Sequence, residues 1–232
     1  VMQLTPSPST RFSDYLTQHY LSFRQALYRC QIGSKRYQIG DPILQQGQAI
    51  TQLVIVPVGR VSMHICAVNG RRFQLGEMDC NYNVFGEMEF FTKTQCQWSV
   101  VVEEAIEIDI LDIKKVEKLL LEHPEFSLFF ASALALDYQD SLDIYTYRLL
   151  HPITYNIAFD LLQHARSSLT LGRFNKVDKE AERFGTSSRV YRRALKTLIQ
   201  QGLVEKKGTE LIILDLIGLQ KFVDHFEDYE LS

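Results

Sequence analysis

Pro124–Leu150, PEFSLFFASALALDYQDSLDIYTYRLL, contains no Gly and no Pro beyond its first residue. Pro at a first helical position and His151-Pro152 just past the end are helix-start and helix-stop signals. At about 1.5 Å per residue such a helix runs roughly 40 Å. Leu128, Ala131, Ala135, Tyr138, Leu142, Tyr145 and Leu149 recur at alternating spacings of three and four, the pattern of a coiled-coil seam. Phe126, Phe129, Phe130, Ala133 and Leu134 make a second apolar row. A helix with two apolar faces needs two partners. The expectation is therefore one face against the chain's own N-terminal half and the other against a second copy, giving a homodimer. A core helix of a monomer is the competing reading.

On the N-terminal side, Phe12, Leu16, Tyr20, Phe23 and Leu27 recur at near-helical spacing and predict a helix over Phe12–Gln31. From Lys35 to Asp112 the chain breaks into short β-prone runs separated by Gly40-Asp41-Pro42, Gly47, Gly59, Asn69-Gly70, Gly76 and Gly86. Leu53–Ile65 holds enough apolar residues for two strands, and Asn69-Gly70 is a hairpin turn signal. Many short strands with glycine turns imply an antiparallel barrel or roll. A short helix over Ile113–Glu122 then leads into the long one. Past Pro152 the pattern is helical again, and it closes with a strand pair turning at Gly208 and a last helix over Leu216–Phe226.

The chain has 232 residues, 46% hydrophobic and 23% charged, with net charge −3. No apolar run approaches the roughly 18 residues of a membrane span, so no membrane partner is expected. Cys30, Cys66, Cys80 and Cys96 show no C-x-x-C spacing, which argues against compact zinc, iron–sulfur or dithiol sites and fits a reducing cytoplasm. No metal or cofactor is expected, and no catalytic constellation stands out. Charge is unevenly spread. Arg173–Lys207 carries ten basic residues, Arg183 among them, against Asp178, Glu180, Glu182 and Glu205. From Gly208 onward Lys221 stands against six acids. A basic segment in an acidic chain suggests a surface for an anionic partner.

Within that segment lies AERFGTSSRVYRRALKTLIQQGLV, Ala181–Val204. Ala181 lets two helices approach, Gly185 supplies the turn between them, and Ser187 can cap the second. Val190, Ala194, Leu195 and Leu198 make its buried face. Thr186, Ser187, Ser188, Arg189, Arg192, Arg193 and Lys196 remain to meet double-stranded DNA, joined by Lys206 and Lys207 on the strand pair. Basic residues in the first turns of such a second helix are placed for the major groove. Arg189 and Arg193 are expected to read bases, while Arg192, Lys196, Lys206 and Lys207 chiefly meet phosphates or remain solvated.

Gly185-x-Ser187 with Arg193-x-Leu195-x-x-Leu198 and Gly202-Leu203-Val204 resembles the winged helix of the cyclic-AMP-receptor/fumarate-nitrate-regulator (Crp/Fnr) superfamily of bacterial transcription factors. Pro57-Val58-Gly59-Arg60-Val61 resembles that family's third-to-fourth-strand turn, and Phe85-Gly86-Glu87-Met88 the opening of its phosphate-binding cassette. The resemblance covers roughly residues 34 to 214. It implies an α+β architecture: an N-terminal antiparallel β-roll of jelly-roll type over 1–123, a dimerisation helix over 124–151, and a C-terminal winged helix-turn-helix over 152–232. It also implies a cytoplasmic, dimeric, non-enzymatic regulator that binds a near-palindromic operator, works with RNA polymerase, and answers to an unidentified small-molecule effector.

The effector pocket implied by the resemblance comprises Gly86, Glu87, Gln97, Trp98, Ser141 and Leu142. Here the sequence departs from the family pattern. Gln97 and Trp98 stand where nucleotide-binding members have an Arg and a small hydroxyl residue, and Ser141-Leu142 where members have two hydroxyls. An amide cannot supply the charged, bidentate clamp a phosphate needs. Cyclic AMP is therefore not the expected effector. Alternatives are a cyclic-nucleotide-binding signalling module, or a haem or redox sensor using isolated groups such as Cys80 and His64. In the reader helix, Ser188 and Arg189 replace the family's Arg and Glu, so the operator should differ from the usual half-site.

Overall fold

The computed structural model describes residues 2–68, 72–166, 177–208 and 210–228. The chain divides into two compact units, one made of 1–65 with 79–142 and the other of 66–78 with 143–232.

The first unit is built on an antiparallel sheet. Its strands are β1 (Met2–Gln3), β2 (Gln31–Tyr37), β3 (Pro42–Leu44), β4 (Gln52–Cys66), β5 (Arg72–Phe85), β6 (Ser99–Val102) and β7 (Ile106–Asp112), the far ends of β4 and β5 passing into the second unit. The order is β1-β5-β4-β6-β3, with β7 pairing both β2 and β4. Helix α1 spans Ser13–Tyr28, α2 Glu87–Thr92 and α3 Ile113–Glu122. The N-terminal helix thus ends short of the expected Gln31, which instead opens β2.

Leu53–Ile65 was expected to supply two strands with a turn at Pro57–Val61, and here the structure differs. β4 is one strand that changes partners. Gln52–Ile55 pair with β7, and Val61–His64 pair with β6. The break falls at Gly59, whose φ of 141° lies where L side chains are strained, and a Cβ there would meet Ile106 Cγ2 at 2.3 Å. The Asn69-Gly70 turn lies outside the described residues.

A 3-10 turn at Pro124–Phe126 leads into α4 (Ser127–Leu150). Its aromatic row enters the core of the first unit. Phe126, Phe129 and Phe130 are buried with Leu16, Phe23, Leu27, Leu53, Ile55 and Val84. Phe23 stacks on Phe129 with ring centroids 4.0 Å apart. Burying side chains of this size gives roughly 1.5–3 kcal/mol each and fixes the start of the long helix.

The second unit contains α5 (Ile153–Arg166), α6 (Val177–Arg183), α7 (Ser188–Gln200), the strand pair β8 (Val204–Lys207) and β9 (Glu210–Ile213), and α8 (Leu216–Asp228). Tyr155, Ile157, Ala158, Leu161 and Leu162 of α5 pack with Tyr191, Ala194, Leu195 and Leu198 of α7 and with Leu219 and Val223 of α8. Among the described residues, no single helix is long and apolar enough to cross a membrane.

Candidate nucleic-acid interface

Helices α6 and α7 are joined by a tight turn. Gly185 holds φ at 61°, and the Thr186 N–H donates to the Ala181 carbonyl at 2.9 Å. Ala181 is almost fully buried where the helices approach. Ser187 has extended backbone angles, and its Oγ accepts the Val190 N–H at 3.4 Å as the cap of α7. The buried side of α7 is Tyr191, Ala194, Leu195 and Leu198. Val190, expected there, is only half-buried, and Tyr191 takes its place. The swap follows from the helix's rotation, which turns position 191 toward Phe184 and stacks the two rings with centroids 5.8 Å apart.

Arg189, Arg192, Arg193 and Lys196 are exposed. They are not equivalent. Asp178 of α6 accepts the Ser188 hydroxyl and lies 3.8 Å from the Arg192 guanidinium. Among the described residues, Arg189, Arg193 and Lys196 enter no ion pair, so their donors remain open to a ligand. Gly202, with φ of 73°, ends the helix, and β8 pairs with β9 from Val204↔Ile213 to Lys207↔Glu210. Lys206 and Lys207 stand exposed on this strand pair, Lys207 3.5 Å from Glu205.

One member of the basic segment is not surface at all. Arg183 is buried, its guanidinium bound through two hydrogen bonds to Asp160 of α5 and two to Glu180 of α6. Burial opposes its charge, but the two carboxylates outweigh it and raise the guanidinium's pKa. Arg183 therefore clamps α6 to α5 and leaves the anion-binding face. Asp160, an acid amid Phe159, Leu161 and Leu162, was the readable sign of a buried partner. Arg173 and Lys176 lie outside the described residues.

The seam on α4 is open in the single chain. Ala131 and Ala135 are exposed, as are Tyr138 at 67%, Leu142 at 45% and Leu149 at 84%, while Leu128 is half-buried. The Tyr145 side chain lies outside those described.

The residues named for an effector pocket lie on α2, on the loop after it and on α4. Gly86, at φ 92°, caps α2, and a Cβ there would sit 3.3 Å from Leu53 Cδ2. Glu87 is buried and accepts the Met2 N–H at 3.2 Å; burial pushes its carboxyl up. Gln97 is exposed, its N–H donating to the buried Glu89 at 3.2 Å. Trp98 and Ser141 are half-buried. Glu89, which sequence reasoning passed over, thus ties the loop back to α2. Two cavities in the first unit, of about 460 and 130 Å³, are lined by none of the six named residues. Cys80 is buried, and burial first of all pushes its thiol up to about 12, the state of a packed thiol and not of a reactive one.

The β-roll, the long helix and the winged strand pair define a class of fold: an antiparallel roll followed by a helix-turn-helix module. Residues 34–123 match the family model of the cyclic nucleotide-binding domain. No match is found among curated sequences. Solved structures do match. The c-di-GMP-responsive global regulator CLP of Xanthomonas campestris aligns with TM-score 0.72 at 16% identity, covering 84% of this chain and 99% of its own. A mutant of CooA from Carboxydothermus hydrogenoformans aligns with TM-score 0.67 at 20% identity, covering 96% and 100%. A CRP/FNR-family transcriptional regulator of Thermus thermophilus aligns with TM-score 0.65 at 16% identity, covering 83% and 98%. Residues 34–123 are a cyclic nucleotide-binding-type domain, and the chain has the fold of the CRP/FNR-family transcription regulators.

Proposed function

We propose that this chain is a dimeric, sequence-specific DNA-binding transcription regulator and not an enzyme. Its parts are a sensor roll over 1–123, a dimerisation helix over 124–151 and a winged helix-turn-helix over 152–232. The observation that carries this is the surface of α7: a capped helix behind a glycine turn, with Arg189, Arg193 and Lys196 exposed and in no ion pair among the described residues. Exposed guanidinium groups without acidic partners are the donors that guanine edges and phosphates take up. The open seam of α4 supports pairing of two chains, which sets two reader helices about one DNA turn apart and suits a near-palindromic operator in the cytoplasm. RNA polymerase is the partner such a regulator would meet there. The test is selection of bound sequences from a randomised duplex library. An enriched inverted repeat is expected; recovery of no motif at low salt refutes sequence-specific binding.

The match over 34–123 favours a second question, whether a cyclic nucleotide binds. Gln97 in place of an Arg, and Leu142 in place of a hydroxyl, leave a cyclic phosphate without a charged clamp. The effector is read as a small molecule other than cyclic AMP. A ligand at 100 times its dissociation constant stabilises the native state by roughly 2.7 kcal/mol. Melting curves with cyclic AMP, cyclic GMP and cyclic di-GMP should therefore show no rise for the first two, and a clear rise would overturn this reading.

A further inference from the structure

The larger cavity, about 460 Å³, is an open cleft beside α1 with Leu21, Arg24 and Tyr28 on one side and Pro57, Tyr82 and Asp109 on the other. Its volume lies within the usual range for small-molecule sites, roughly 300–1,000 Å³. Its walls are mostly apolar, with one cation among them. The Arg24 guanidinium lies over the Tyr82 ring, 4.0 Å from its centroid, and 5.8 Å from that of Tyr28. The Arg24 guanidinium also hydrogen-bonds the Tyr82 side chain, which together with the stacking fixes its plane; a guanidinium carries several N–H donors, so one such bond leaves others for an anion.

Among the described residues, Arg24 enters no ion pair, although Asp109 lines the same cleft. Asp109 is turned to other donors: Tyr28 Oη at 3.0 Å, Gln31 Nε2 at 2.9 Å and Ser34 Oγ at 2.8 Å. Burial and this bond to Asp109 push the Tyr28 phenol up, so it stays a donor. Tyr82 is held at φ 55°, a conformation uncommon for an aromatic residue and one that calls for a reason. Its carbonyl is fixed by the Leu4 N–H at 3.0 Å. The cleft thus holds a stacked cation with no carboxylate paired to it among the described residues, and the nearby acid is occupied by other donors.

We propose that this cleft is a ligand site for a small planar aromatic molecule bearing one anionic group. Arg24 takes the anion through its edge donors, and Leu21, Tyr28 and Pro57 take the ring. The end toward Asp109 must be uncharged, because that carboxylate repels a second anion. The site is separate from the residues of the phosphate-binding cassette and does not depend on the chain's binding DNA. Carboxylate and phosphate would both suit Arg24, and the probes tell them apart.

The full chain is titrated with benzoate and with phenyl phosphate, with benzamide as the neutral control, by ligand-observed NMR and by thermal shift. Saturable binding of at least one acid, and none of benzamide, is expected; the better acid identifies the anionic group. Arg24→Gln removes a charge-assisted contact and should weaken binding about tenfold or more. Arg24→Lys, which keeps the charge without the planar fork, should restore only part. Leu21→Glu, on an exposed position of α1 away from the core, should also weaken both acids and leaves the test standing if Arg24 variants fold poorly. Binding of neither acid at millimolar concentration, equal binding of benzamide, or acid binding unchanged in Arg24→Gln and Leu21→Glu would each overturn the proposal.

Discussion

Arg192 and Arg193 are adjacent in the chain and both exposed, yet they meet different surroundings. Asp178 stands 3.8 Å from Arg192, whereas Arg193 enters no ion pair among the described residues. A bidentate Arg–guanine contact discriminates by about 1–3 kcal/mol. Arg193→Ala should lose that much operator affinity and relax preference at one base pair per half-site. Arg192→Ala should weaken all sequences alike and reduce the salt slope by about one unit. Affinities against a randomised site library at two salt concentrations separate these outcomes; equal loss at every site in Arg193→Ala would remove that residue from base readout. Arg183 makes the contrast sharper. Replacing it with Met leaves the buried Glu180 and the half-buried Asp160 without their cation, at a cost of about 3–5 kcal/mol, read as the loss in denaturant midpoint. Glu87 gives the pH case. Its folded pKa is raised by burial, so ionising it costs stability: the native state is favoured below the ordinary carboxylate range and loses that advantage as pH rises through the folded value. Glu87→Gln should therefore raise the melting temperature at neutral pH and change little in acid. An equal shift at both pH values would show the effect is not electrostatic.

At the scale of elements, what was legible followed from periodicity and punctuation. The seven-residue rhythm of the long helix, the Gly185 turn, the Ser187 cap and the strand pair after Gly202 are all local signals, and each element stands where its signal falls. Two things were not local. Apolar content alone made Leu53–Ile65 look like two strands, because a strand that exchanges one neighbour for another keeps the same composition. Arg183 looked like part of a basic surface, because its two carboxylates lie on α5 and α6 and only tertiary packing brings them together. The effector residues rest on the family resemblance alone, since a pocket is a property of loops from several strands and no spacing in the chain encodes its walls. Gly59 is where the strand hands over from β7 to β6, and any Cβ meets Ile106 there. Gly59→Ala should destabilise the roll by roughly 1–3 kcal/mol through backbone strain alone, more with the clash. Ile106→Ala in the same chain should recover the part due to contact; a neutral Gly59→Ala would mean the bend is not required.

For the whole molecule, the decisive feature is the apolar seam along α4. Placing charge there, as in Ala135→Glu with Leu142→Glu, should give a monomer in sedimentation and lower operator affinity, with reader-helix residues untouched. Wild-type chain that sediments as a monomer at micromolar concentration would refute pairing through this helix.

Under the proposed function, that seam would also set how the chain responds to its own abundance. If a target is held only by two chains joined, then at levels below the pairing constant the occupied fraction climbs with the square of chain number. Halving synthesis would then cut occupancy about fourfold, by mass action. A cell could then lower occupancy of such a target by diluting the protein through division alone.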